Sequence, residues 1–156
     1  HQHPLSLLVS TDCMDRAPAV GLGLSLARPD RKVLVLDCDA TLRTDLAGLA
    51  TIGESKPENL VHFVFEDAAF TSTDGIPIRG MDNLDFAAIA RASGYAKTYQ
   101  FDSLEDLLIG LEEVMVQTGP TCVVVKVLRD DIVPPFPARS MAEGWAEVRE
   151  TLSSES

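Results

Sequence analysis

The chain has 156 residues, 46% hydrophobic and 24% charged, and 24 acidic against 13 basic side chains give a formal charge of −11. That length fits one domain with a single buried core, and the composition is that of a folded soluble protein rather than a disordered one. No apolar run nears the roughly 20 residues of a membrane span, and the acidic balance argues against a broad basic surface for nucleic acid or an anionic membrane.

Leu5–Val9 reads as a short strand, and the small, apolar Pro18–Ala27 as a helix packed tightly on a sheet. Arg28-Pro29-Asp30 turns the chain into Lys32–Asp37, a buried strand with its acid at the C-terminal end. A helix over about Leu46–Gly53 follows, then a break at Lys56-Pro57 and a second strong strand at Asn59–Phe65. Thr71–Gly80 is rich in turn formers and reads as a loop. Asp85–Ala92 has helical spacing and ends near Gly94, and Ala96–Phe101 is a short strand. Asp102-Ser103-Leu104-Glu105 caps an amphipathic helix from about Leu104 to Val116. Cys122–Leu128 is an apolar strand apart from Lys126, which is expected to reach the strand's edge or an acidic partner. After the extended Pro134–Pro137, Met141–Leu152 forms a terminal helix with Trp145 as its anchor.

Alternating strands and helices, with continuous apolar strands, predict an α/β protein: three layers, α/β/α, around a mostly parallel sheet covered on both faces. A single domain spans 1–156, with 134–156 as a C-terminal extension. Ligands of such sheets bind beyond the C-terminal strand ends. That rule gathers Asp12–Asp15, Asp37–Thr41 and Glu66–Phe70 at one functional edge.

Cys13, Cys38 and Cys122 form neither a zinc pattern nor a disulfide framework. The start His1-Gln2-His3-Pro4 lacks the basic and apolar segments of a secretory leader, so a cytoplasmic location is the expectation. Gly21-Leu22-Gly23 sits well past the preceding strand and has Leu26 where a dinucleotide loop needs glycine. Close helix–sheet packing explains that pair better. His62, in mid-strand, reads as a hydrogen-bonded core residue.

Asp37-Cys38-Asp39-Ala40-Thr41 carries more information. Two acids in a βα turn, followed by a hydroxyl, suit a hard divalent cation with a bound phosphate, or they cap the next helix. Two families present such a turn. Haloacid-dehalogenase phosphatases have a first motif similar to Asp37-x-Asp39-x-Thr41, and Asp130-Asp131 resembles their second acidic pair. Thiamine-diphosphate-dependent decarboxylases have Gly-Asp-Gly-Ser after a strand, with a second metal ligand some 28 residues on, the spacing of Asp39 and Asp67.

The wider sequence favours the second. The stretches MDRAPAVGLGLSLARPDRKVLVLDCDATLRTDLAGLATIG, PENLVHFVFEDAAFTSTDG, LDFAAIARASGY and GPTCVVVKV closely resemble the cofactor-diphosphate (PP) domain of sulfopyruvate and phosphonopyruvate decarboxylases. The separately encoded small (beta) subunit of the former is particularly similar. The resemblance covers about Thr11 to Leu128 and implies the thiamine-diphosphate-binding fold. It implies Asp39, Asp67 and the carbonyl of Ala69 as Mg²⁺ ligands, and Met14, Cys38, Asp39, Ala40, Thr41 and Phe70 as contacts of thiamine diphosphate.

Three turns depart from the family pattern. Cys38-Asp39-Ala40-Thr41 replaces Gly-Asp-Gly-Ser, Glu66-Asp67 stands where the second ligand is Asn, and Asp12-Cys13-Met14-Asp15 replaces a Gly-Ser-Met-Gly-like turn. The implied function is the cofactor-binding half of a 2-keto acid decarboxylase. The activating glutamate comes from a separate PYR-type subunit, in a homodimer or hetero-oligomer, and the chain alone is expected to be inactive. The altered glycines and added acids carry a second reading: a non-catalytic binding or scaffold protein that keeps the fold and has lost the cofactor.

Overall fold

The structure, a computed structural model, describes residues 3–7, 9, 16–67, 69–70, 76–77, 80, 83–128 and 140–154, with backbone alone at 69, 70, 76 and 77. The chain divides into two compact units, Asp15–Arg129 and a pairing of His1–Met14 with Asp130–Ser156.

The larger unit runs α1 (Ala17–Ala27), β1 (Val33–Cys38), α2 (Asp39–Thr44), α3 (Leu46–Ser55), β2 (Leu60–Glu66), β3 (Ala69–Phe70), β4 (Ile76–Pro77), α4 (Phe86–Ala92), β5 (Lys97–Phe101), α5 (Leu104–Val116) and β6 (Thr121–Lys126). Four strands pair in the order β1-β2-β6-β5. Every pairing in that sheet is parallel, with Cys38 opposite Phe65 and Glu66 opposite Lys126.

Side chains alternate across a strand, and each face of this sheet builds its own core. Val35, Leu60, Val64, Cys122 and Val124 meet Leu22 of α1, Leu49 and Ile52 of α3, and Phe86 and Ala90 of α4. On the opposite face Val61, Phe63, Val123 and Val125 meet Val114 of α5. Burying each large aliphatic side chain contributes roughly 1.5–3 kcal/mol, so β2 and β6, covered on both sides, anchor the three layers. The α/β/α architecture with a parallel sheet is therefore the observed one.

Four local expectations need correction. β1 is an edge strand whose outward Leu34 and Leu36 are 48% and 65% exposed, so only alternate residues of it are buried. No strand forms at residues 5, 6, 7 and 9. Pro4 and Leu5 make a turn there, with the Ser6 amide donating to the His3 carbonyl at 2.8 Å. A short apolar run becomes a strand only where a neighbouring backbone pairs with it, and among the described residues none does. Within the expected loop at 71–80, Ile76–Pro77 pairs antiparallel with Ala69–Phe70. A separate helix, α2, also precedes the expected one at 46.

Local chemistry fixes the joints. Pro18 lies in the first turn of α1, where its missing N–H costs nothing. A Cβ at Gly21 would run into Val35, whereas one at Gly23 would meet nothing within 4 Å. Only the first glycine of that pair therefore serves the sheet contact. Lys56 ends α3 in the left-handed region at φ 47°, immediately before Pro57. Buried Asn59 opens β2 and donates to the carbonyls of Arg28 at 2.9 Å and Ser25 at 3.3 Å, tying the end of α1 to the sheet. Ser103 caps α5 by accepting the Asp106 amide at 3.1 Å. Lys126 reaches Asp102 at 3.9 Å.

In the smaller unit α6 (Met141–Ser154) begins with a reciprocal cap. The Ser140 amide donates to Glu143 at 2.8 Å, and the Glu143 amide to the Ser140 hydroxyl at 3.3 Å. Val148 is buried and Trp145 keeps 36% exposure. The segment Pro134–Pro137 lies outside the described residues. Among the described residues no helix is long and apolar enough to cross a membrane.

Candidate functional site

Two neighbouring parallel strands, β1 and β2, end side by side, and their following turns meet. Cys38 is still extended, and Asp39 opens α2. The Asp39 side chain is fully buried. One of its carboxylate oxygens accepts the Ala40 amide at 2.7 Å; the other accepts the Asp67 amide, 28 residues on, at 3.1 Å. The acid that the sequence singles out is thus the tie between the two strand ends, and it brings Asp67 to its side.

Ala40 is buried at 4% exposure, and its Cβ occupies space that glycine would leave open beside the turn. The Thr41 hydroxyl turns back toward the end of β1. It donates to an Asp37 carboxylate oxygen, lies 3.0 Å from the Cys38 carbonyl, and sits 3.4 Å from the Cys38 sulfur. Ala69 and Phe70 are placed through their backbone, in β3, which begins two residues after Asp67. Met14 lies outside the described residues, as do Asp12, Cys13, Asp15, Asp130 and Asp131.

The rim is acidic. Partial burial holds the Glu66 carboxyl above its ordinary value against the pull of Lys126, and the Asp39 charge adds to that shift. Among the described residues no three His, Cys, Asp or Glu side chains converge to hold a metal by themselves. Two carboxylates and a main-chain carbonyl are nonetheless hard oxygen donors. Mg²⁺ is usually held by one or two carboxylates plus substrate phosphates and water, rather than caged by protein alone. The chemistry of these donors therefore fits a magnesium ion, which would take its remaining ligands from phosphate oxygens and water.

Asp37, read from sequence as part of an acidic pair facing a ligand, is placed otherwise. Its side chain is only 5% exposed and faces His62 Nε2 at 3.4 Å. Its other oxygen accepts the Cys38 amide at 2.9 Å. His62 Nδ1 lies 3.1 Å from the Tyr95 hydroxyl. A buried polar chain, Tyr95–His62–Asp37–Thr41, thus runs beneath the turn. The one sequence signal for it was parity: Val35 and Asp37 share a face of β1, as Leu60, His62 and Val64 share one of β2. Cys38 and Cys122 are free thiols, and Cys122 is core, as expected.

Residues 1–125 match the family described as thiamine pyrophosphate enzyme, C-terminal TPP binding domain. The chain is 39% identical over 111 residues to a phosphonopyruvate decarboxylase of Streptomyces viridochromogenes, covering 70% of this chain and 27% of that protein. It is 30% identical over 114 residues to sulfopyruvate decarboxylase subunit beta of Methanothermobacter thermautotrophicus, covering 73% of this chain and 58% of that one. It therefore spans only part of either relative. In fold it is similar to the thiamine diphosphate-dependent 4-hydroxybenzoylformate decarboxylase of Rhodococcus jostii RHA1, with TM-score 0.65 and 20% identity over 76% of this chain and 24% of that one. A parallel sheet with two acids meeting at its strand ends, and a family match over most of the sequence, place the chain: it belongs to the C-terminal TPP-binding domain family of thiamine pyrophosphate enzymes.

Proposed function

We propose that this chain binds Mg²⁺ and thiamine diphosphate as the PP part of a 2-keto acid decarboxylase of the sulfopyruvate or phosphonopyruvate type. The observation that carries the reading is the carboxylate of Asp39 accepting the Asp67 amide across two parallel strand ends. This is a two-acid ledge at the edge where such sheets take ligands. Asp39, Asp67 and the Ala69 carbonyl hold the metal, and Cys38, Ala40, Thr41 and Phe70 line the cofactor; Met14 joins that set by family resemblance alone.

Thiamine diphosphate, when bound, supplies the electron sink for loss of CO₂ from a 2-keto acid. This chain's own residues bind and orient. Asp39 and Asp67 offset the metal's charge, and the metal offsets that of the diphosphate, which the rim of Glu66 and Asp67 would otherwise repel. On this reading the glutamate that engages the aminopyrimidine belongs to a separate PYR-type subunit, in keeping with the name of the Methanothermobacter relative, subunit beta. The assembly is a homodimer or hetero-oligomer acting in the cytoplasm on a small 2-keto acid.

A second reading, a scaffold that has lost the cofactor, is favoured by one observation. Both Asp39 oxygens already accept backbone amides, beneath side chains that replace glycine. Calorimetry separates the two. Thiamine diphosphate with Mg²⁺ at about 100 times its Kd should add roughly 2.7 kcal/mol, a rise of roughly 5–10 °C in Tm for a chain of this size. Asp39→Asn, which keeps an acceptor oxygen and loses the charge, should abolish the Mg²⁺-dependent part. No rise at millimolar cofactor, with and without a PYR-type subunit, would leave the scaffold reading.

A further inference from the structure

We propose that His62 is a positioning residue for the turn that carries Asp39, acting through Asp37 and itself oriented by Tyr95. The role as a cofactor-site device rests on the function proposed above; the hold on the turn does not.

The parallel register sets Val35 opposite His62 and Asp37 opposite Val64. His62 and Asp37 are therefore diagonal neighbours on one face, the face covered by α1, α3 and α4. There His62 is fully buried, Asp37 8% exposed and Tyr95 4% exposed. Asp37 Oδ2 and His62 Nε2 are, among the described residues, the buried side-chain polar atoms without a hydrogen-bond partner. They are also the two atoms that face each other, at 3.4 Å.

The chain of donors has one consistent direction. The Tyr95 hydroxyl, which burial keeps protonated, lies 3.1 Å from His62 Nδ1 and in this arrangement donates to it. The ring proton then sits on Nε2, the nitrogen 3.4 Å from the carboxylate. The opposite tautomer would aim a lone pair at Asp37. A buried carboxylate oxygen without a donor is costly, so a partial positive charge at His62 Nε2 steadies the Oδ2 side of Asp37 electrostatically.

Asp37 in turn grips the turn at both ends. A single oxygen, Oδ1, accepts the Cys38 amide at 2.9 Å and the Thr41 hydroxyl. Between those two anchors lie Asp39 and Ala40. His62 has Tyr95 and Asp37 as its polar neighbours, and it acts at one remove from the proposed metal acids. Its effect passes through Asp37, and it is not a catalytic residue.

The test uses the full chain and two variants. His62→Gln keeps an amide N–H near the Nε2 position, and His62→Leu has none. In the unaltered protein without ligand, ¹⁵N NMR should find the His62 ring as the Nε2–H tautomer and the Cys38 amide slow to exchange. His62→Leu should speed exchange of the Cys38 amide about tenfold, the scale of one hydrogen bond, relative to Val123 in β6. His62→Gln should restore it. Affinity for thiamine diphosphate with Mg²⁺ should fall and recover in step. If His62→Leu does not fold, Tyr95→Phe removes only the hydroxyl and should shift the ring tautomer. The opposite tautomer in the unaltered protein, exchange that rises equally at Cys38 and Val123, no rescue by glutamine, or a ring signature indifferent to Tyr95→Phe would overturn the proposal. If the unaltered chain binds no cofactor while the NMR results hold, the function fails and the hold on the turn stands.

Discussion

Cys38 and Cys122 carry the same thiol in opposite settings, and the second sets the protein's alkaline behaviour. Cys122 is fully buried in β6, and burial pushes its thiol from 9.0 up to about 12. Between those values the folded state keeps a proton that the unfolded chain releases, so stability falls as pH rises through the window and is unaffected below it. The loss runs at up to about 1.4 kcal/mol per pH unit for one group. Tyr95, held above its ordinary 10.0 by burial, adds to it with the same sign. Urea melts from pH 8 to 12 should therefore show a falling limb that starts near 9, and Cys122→Val, similar in size, should make it shallower. An unchanged limb would remove the thiol from its cause.

The packing of elements turns on which glycines are touched. Gly53 lies where α3 meets the end of α4, and a Cβ there would strike the Ser93 backbone carbonyl. Helix propensity alone favours alanine by about 1 kcal/mol. A backbone atom cannot swing aside as a side chain can, so overpacking of about 1–3 kcal/mol or more should win. Gly53→Ala should lower the urea midpoint and Gly23→Ala, with open space around it, should raise it; the reverse order would refute the packing account. The two glycines of Gly21-Leu22-Gly23 show what sequence pattern can reach. Both were read as packing glycines, yet residues two apart on a helix point about 200° apart, so only one can face the sheet. β2, β6 and α5 were legible because burial leaves an apolar run or a 3.6-residue stripe. β1 was misread as buried on both sides because Leu34 and Leu36 are apolar yet exposed. The meeting of Asp39 and Asp67 at two strand ends was legible from their spacing. The inward turn of Asp37 was not, because its partner His62 is distant in sequence and is supplied by strand pairing.

At the scale of the whole molecule, a net charge of −11 makes self-repulsion a general term and the proposed site a special case of it. Exposed ion pairs such as Arg28–Asp30 at 2.8 Å offset little of that charge. Added NaCl screens like charges beyond a Debye length of about 8 Å at 0.15 M, so Tm should rise with salt in the absence of any ligand. Mg²⁺ alone, at matched ionic strength, should match NaCl, because two carboxylates and a carbonyl leave most of its coordination to water. Thiamine diphosphate alone should give no rise, since it brings negative charge to the acidic rim of Glu66 and Asp67. The two together should exceed the sum of their separate shifts, because each removes the charge that opposes the other. Asp67→Asn, measured in the same four conditions, should keep the salt response and lose most of that excess. Strict additivity in the unaltered chain would mean that the acids at the strand ends contribute only to the general field.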